Sequence, residues 1–101
     1  MDKFLSMLGI CRKAGRMCIG YNDTAEAVRK GKTILIYIAS DLSQKTEKEL
    51  LFITKDKPIE VVRTRYDMAT LSHAIGIKTG VIAINDQGFA EALTTKYQGE
   101  I

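Results

Sequence analysis

Thr33-Ile34-Leu35-Ile36-Tyr37-Ile38-Ala39 is apolar almost without alternation, the pattern of a strand covered on both faces. Such a strand needs a layer of helix above it and another below. Upstream of it, Gly20 and Gly31 bracket the stretch Tyr21-Asn22-Asp23-Thr24-Ala25-Glu26-Ala27-Val28-Arg29-Lys30. Asn22, Asp23 and Thr24 each carry a short side-chain oxygen able to accept from the free amides of a first helical turn, so a helix is predicted to begin here. Ala25, Ala27 and Val28 give it one narrow apolar stripe, and Gly31 suits the left-handed residue that ends a helix. The start of this helix combines free amides, the positive end of the dipole and an Asn amide with both donors and acceptors. That combination suits phosphates and base edges, though these residues by themselves describe first an ordinary capped surface helix.

Outward from this pair, helices and strands alternate. Phe4, Leu8 and Cys11 recur at helical spacing over residues 2–14, with Asp2 as cap and Gly15 as stop. Met17-Cys18-Ile19 reads as a brief strand. After the turn Ser40-Asp41-Leu42-Ser43, residues 44–55 place Leu50, Leu51 and Ile53 among charges as a third helix, which Lys55-Asp56-Lys57-Pro58 breaks. Residues 59–62 form a strand, and Thr64 with Asp67 resembles a capping box for a helix carrying Met68, Leu71 and Ile75 up to Gly76. Residues 80–84 form a strand, Asn85-Asp86-Gln87-Gly88 a turn, and Phe89, Leu93 and Tyr97 mark a last helix. This order predicts a three-layer α/β/α sandwich on a small, mostly four-stranded mixed sheet, largely parallel because helical crossovers join its strands. The loops at one sheet edge, 20–24, 39–43 and 76–80, are then where functional groups collect.

A length of 101 residues with 46% hydrophobic content suits one domain with its own core, here residues 1–101. No apolar run approaches the ~18 residues of a membrane span, and the N-terminus lacks the order of a signal peptide, so a cytoplasmic protein without a membrane partner is expected. Cys11 and Cys18 fit neither a zinc site nor a redox pair, and His73 is the sole histidine. With no Ser/His/Asp set, no metal spacing and no phosphate loop, the chain is not expected to be an enzyme, nor to hold a metal, a cofactor or a small-molecule substrate. Asp41 and Asp86 read as helix caps. Residues 1–34 carry seven Lys/Arg against three Asp/Glu, a balance of +4, while the remainder carries eight against nine, a balance of −1. Arg12, Lys13, Arg16 and Lys32 of this basic third are expected to meet an acidic partner.

Five motifs stand in order: Leu8-Gly9-Ile10-Cys11-Arg12-Lys13-Ala14-Gly15, then Gly20-Tyr21-Asn22-Asp23, Ala39-Ser40-Asp41-Leu42-Ser43, Leu71-Ser72-His73-Ala74-Ile75-Gly76 and Asn85-Asp86-Gln87-Gly88-Phe89-Ala90. Together they resemble the kink-turn-binding ribosomal-protein family of archaeal and eukaryotic large subunits, and within it the bacterial YlxQ-like branch. The resemblance implies a ribosomal or ribosome-associated protein that binds structured RNA without chemistry of its own. The RNA would be a kink-turn, a sharply bent duplex with tandem sheared G·A pairs. Gly20 would let the backbone approach the RNA, Asn22 and Asp23 would hydrogen-bond guanine edges, and Ile77-Lys78-Thr79 would pack against the flipped-out nucleotide.

Two residues depart from that pattern. Glu26 stands where binding members carry a lysine, and Asp23 is shorter than their glutamate. A carboxylate at position 26 would repel phosphate unless it pairs with Arg29 or Lys30. It favours an alternative in which the chain is a protein-interaction or scaffold domain that keeps the fold and has lost kink-turn binding.

Overall fold

The computed structural model describes residues 2–99. Among them five helices and four strands alternate: α1 Lys3–Lys13, β1 Met17–Ile19, α2 Tyr21–Arg29, β2 Leu35–Ile38, α3 Gln44–Thr54, β3 Glu60–Arg63, α4 Met68–Ile75, β4 Val81–Ile84 and α5 Gln87–Gly99. The strands form one sheet in the order β1-β4-β2-β3. β2 and β4 occupy its middle and are buried at every position. The unalternating apolar run at 33–39 has its cause here, because both faces of β2 are covered.

Side-chain parity divides the core into two layers. Leu35, Tyr37, Ile82 and Ile84 pack with Phe4, Leu8 and Cys11 of α1, Leu71 and Ile75 of α4, and Ala90 and Leu93 of α5. Ile36, Ile38, Val81 and Ala83 pack on the other face with Val28 of α2 and Leu50 of α3. The α/β/α sandwich is thus α1, α4 and α5 over the sheet, with α2 and α3 beneath it. On the first side the fully buried Phe4 ring lies 5.0 Å from both Tyr37 and Tyr97 in edge-on geometry, an arrangement that favours aromatic pairs beyond their area burial.

The sheet is mixed, and the expectation that it is largely parallel is corrected. Of the three pairings only β2 with β3 is parallel; β4 runs antiparallel to both its neighbours, β1 and β2, so β1, β2 and β3 point one way and β4 the other. The reason lies in α4. Its first amide, Met68 N, donates to Asp41 Oδ1 at 2.9 Å, and a Cβ built on Gly80, beyond its far end, would stand 3.0 Å from both Met68 and Leu42. The helix therefore enters and leaves at the same end of the sheet, and β4 starts where β3 stopped.

Two local expectations also change. Thr64 does not form a capping box, because its hydroxyl donates to Ile38 O at 3.0 Å. Asp67 is itself the cap of α4, accepting from Thr70 N at 2.8 Å, and that bond lowers its pKa. Asp41 is a cap, but of α4 and not of the helix that follows it, which Ser43 caps.

Candidate nucleic-acid interface

Antiparallel entry of β4 gathers the loops at one sheet edge. Ile19 at the end of β1 is opposite Ile82, and Ile38 at the end of β2 is opposite Val81 and Arg63. Backbone bonds then tie the loops beyond. Gly20 N donates to Val81 O at 2.9 Å, Ala39 N to Gly80 O at 3.0 Å, and Ser40 N to Tyr66 O at 2.8 Å. The segments 20–24, 39–43 and 76–80 share one edge, as the alternation predicts, and 64–67 joins them.

α2 begins at Tyr21, four residues before Ala25, where the capping residues place the start of its body. Its N-cap is Gly20, at φ 89° and ψ 163°, with no side-chain cap. That backbone region is essentially restricted to glycine. A Cβ there would meet no atom within 4 Å, so the demand for glycine comes from conformation and not from crowding within the protein. The chain passes directly from β1 into the helix because Val81 holds Gly20, leaving no room for an intervening Asx cap. Asn22 and Asp23 are displaced into the first turn, exposed, and without a hydrogen-bond partner among the described residues. Thr24 turns inward, is fully buried, and its Oγ1 has no hydrogen-bond partner among the described residues. The helix thus presents uncapped amides and a free Asn amide together at its positive end.

Glu26 lies one turn further on. Its Oε1 accepts from Lys30 Nζ at 2.9 Å, both side chains being about half exposed. The Lys30 ammonium, through that bond and its charge, lowers the Glu26 pKa. The carboxylate is held towards the C-terminal end of α2, away from Gly20.

The loop before β4 divides into an outward and an inward part. Ile77 is 44% exposed and Lys78 is exposed. Thr79 is buried, its hydroxyl donating to Val81 O at 2.8 Å and accepting from Val81 N at 3.1 Å. Ser72 Oγ accepts from Thr79 N at 2.9 Å and donates to Thr79 O at 3.2 Å. This latch was not legible in the sequence, since Ser72 and Thr79 are seven residues apart on different elements. It fixes Ile77 and Lys78 as the parts of the loop offered outward, at the sheet end where α2 starts.

The basic first third does not form one face. Arg16 O accepts from Asn85 N at 3.0 Å, placing Arg16 at the opposite end of the sheet, roughly 13 Å of strand from Gly20. Arg12 Nη1 donates to Ile75 O at 2.6 Å and closes the end of α4 beside Gly76. Lys32 reaches the flank of α2, where it lines a shallow cavity of about 190 Å³ with Cys18, Asp23, Glu26, Ala27 and Lys30. Cys11 is fully buried, and burial, with a smaller contribution from Asp86, raises its thiol pKa to about 11. His73 lies on α4 beside a surface cavity of about 420 Å³ lined by Leu5, Ala69 and Thr70. Among the described residues no three His, Cys, Asp or Glu side chains cluster as a metal site, and no helix is long and apolar enough to cross a membrane.

An α/β/α sandwich with the start of α2 and the loop before β4 at one sheet edge agrees with the resemblance that the five sequence motifs carry. The chain belongs to the ribosomal protein L7Ae/L30e/S12e/Gadd45 family, whose model matches residues 2–94. It is 26% identical to the RNA-binding protein YlxQ of Enterococcus faecium, over 97% of this chain and 94% of that protein. It is 29% identical to the large ribosomal subunit protein eL30 of Saccharomyces cerevisiae, over 87% of this chain and 86% of that one. A solved structure of a protein of unknown function from Bacillus halodurans C superimposes with a TM-score of 0.82 at 30% identity, covering 97% of this chain and 99% of its own. The likeness to YlxQ agrees with the bacterial branch of the family.

Proposed function

We propose that this chain, as a single domain over residues 1–101, is a non-catalytic binder of structured RNA that docks a kink-turn on the start of α2. It would act as a cytoplasmic ribosomal or ribosome-associated protein, needing no cofactor. The observation that carries this reading is the uncapped start of α2, where Asn22 and Asp23 are exposed and without a hydrogen-bond partner among the described residues, at the same end of the sheet as Ile77 and Lys78. Asn22 can donate to and accept from a base edge at once, and Asp23 can accept from guanine amino and imino groups. Ile77 offers an apolar surface for an extruded base. The names of the YlxQ and eL30 relatives support the RNA part of the reading.

Phosphate contacts come from fewer cations than the charge count suggests. Lys78 stands at the docking edge, Lys32 serves the flank of α2, and Arg16 stands roughly 13 Å of strand from Gly20, towards the other end of the sheet. The ion pair of Glu26 with Lys30 removes much of the repulsion that the carboxylate would exert on phosphate. Glu26 still favours the second reading, a scaffold domain that has lost the RNA face, because its exposed carboxylate stands where binders carry a cation. A gel-shift titration against one kink-turn, with an unkinked duplex of equal length as control, separates the two. The first reading requires a preference of about tenfold or more for the kink-turn, and equal weak binding to both supports the scaffold.

A further inference from the structure

We propose that the outer face of α3 is a stacking track for unpaired nucleotides, with Phe52 as the platform and Lys45 and Lys48 holding the backbone. Phe52 is 74% exposed, more than any other large apolar side chain among the described residues, and Leu51 beside it is 49% exposed. The sheet-facing side of the same helix is filled by Leu50, which is fully buried, so nothing in the core calls for a second apolar face. Adjacent exposed apolar side chains rimmed by charge mark an interaction surface.

The charge around Phe52 decides the occupant. Lys45 and Lys48 precede it by seven and four residues, so they share its helical stripe, about 10 Å and 6 Å along the axis. Lys55 follows at the end of the helix. None of these lysines is in an ion pair among the described residues; the carboxylates nearest Phe52 in sequence are Glu49, three residues before it, and Asp56, directly after Lys55. A second copy of the same face would set lysines against lysines. An aromatic ring spaced among free ammonium groups instead suits a single strand, whose bases stack on any π face while its phosphates meet the cations.

The stripe also starts in the right place. Ser43, the cap of α3, follows the loop that begins at Ala39, and Ala39 N is bonded to Gly80 O at the candidate RNA edge. A strand leaving a structured RNA docked on α2 could therefore continue along α3. The inference extends the RNA reading, and its test uses a probe with no kink-turn.

The chain contains no tryptophan, so Phe52→Trp supplies a single reporter. Titration with an oligouridine of about ten nucleotides should quench it saturably, and less so as salt rises. Phe52→Ala should weaken oligouridine binding about fivefold or more, with an unchanged unfolding curve because the ring is exposed. Lys45→Gln with Lys48→Gln should flatten the salt dependence. The proposal is overturned if the tryptophan does not respond to oligouridine, or if Phe52→Ala binds it as the wild type does. A blue shift driven only by protein concentration, or only by anionic vesicles, also overturns it by assigning the face to a second copy or a membrane. Quenching by oligouridine together with no preference for the kink-turn would refute the reading of the α2 start and leave this one standing.

Discussion

The amide of Gly20 donates to the carbonyl of Val81 at 2.9 Å, and this bond sets the start of α2 beside the start of β4. Each residue comes from a different strand end, yet the pairing of Ile19 with Ile82 places them together. The position of the exposed Asn22 relative to the Ile77–Lys78 loop follows from this one contact and from the Ser72–Thr79 latch.

Gly20→Ala tests the backbone at that junction. At φ 89° and ψ 163° an alanine is strained, at a cost of about 1–3 kcal/mol. Urea unfolding should show this loss, and an unchanged midpoint would mean that the junction relaxes without difficulty.

Thr24→Val should act in the opposite direction. The buried Oγ1 has no hydrogen-bond partner among the described residues, and valine keeps the shape without the desolvated hydroxyl. A gain of about 1 kcal/mol is expected. A loss measured by the same unfolding experiment would show that the hydroxyl is hydrogen-bonded after all.

Cys11 should make stability depend on alkaline pH. Its folded pKa of about 11 lies above the ordinary 9.0, mainly because of burial. The unfolded chain therefore releases this proton first, so stability is full below pH 9 and declines as pH rises towards 11. Cys11→Ala should abolish that part of the decline, although its cavity lowers stability at every pH. The native thiol should also resist iodoacetamide at neutral pH until the protein unfolds.

Glu26→Lys probes the position that departs from the family pattern. It removes the pairing with Lys30, which lies 2.9 Å away, and places a cation one turn from the start of α2. Kink-turn affinity should rise roughly threefold or more, with a smaller rise for an unkinked duplex. Equal gains for both RNAs, or no gain, would take the RNA away from this helix.

The layers were legible in the sequence because burial is written into residue order. The unbroken apolar run at 33–39 and the helical spacing of Phe4, Leu8 and Cys11 both report local periodicity. The direction of β4 was not legible, since it depends on Asp41 capping Met68 and on Gly80 packing against Leu42, contacts between distant segments. The site was half legible. Gly20, Asn22 and Asp23 lie together at the helix start, but as a glycine cap and first-turn residues, because a hydrogen bond to Val81 displaced the expected side-chain cap. The basic first third read as one surface only because sequence proximity ignores that a strand carries Arg16 and Gly20 to opposite ends of the sheet.

Asn22→Ala bears most directly on the central claim, since Asn22 neither caps α2 nor touches the core. The measurement is the affinity of wild type and variant for a kink-turn and for an unkinked duplex, alongside their thermal unfolding. The expected result is a loss of about 1–3 kcal/mol for the kink-turn, little change for the duplex and a nearly unchanged unfolding curve. Equal kink-turn affinity for the two proteins would contradict the assignment of this helix start as the RNA-reading surface.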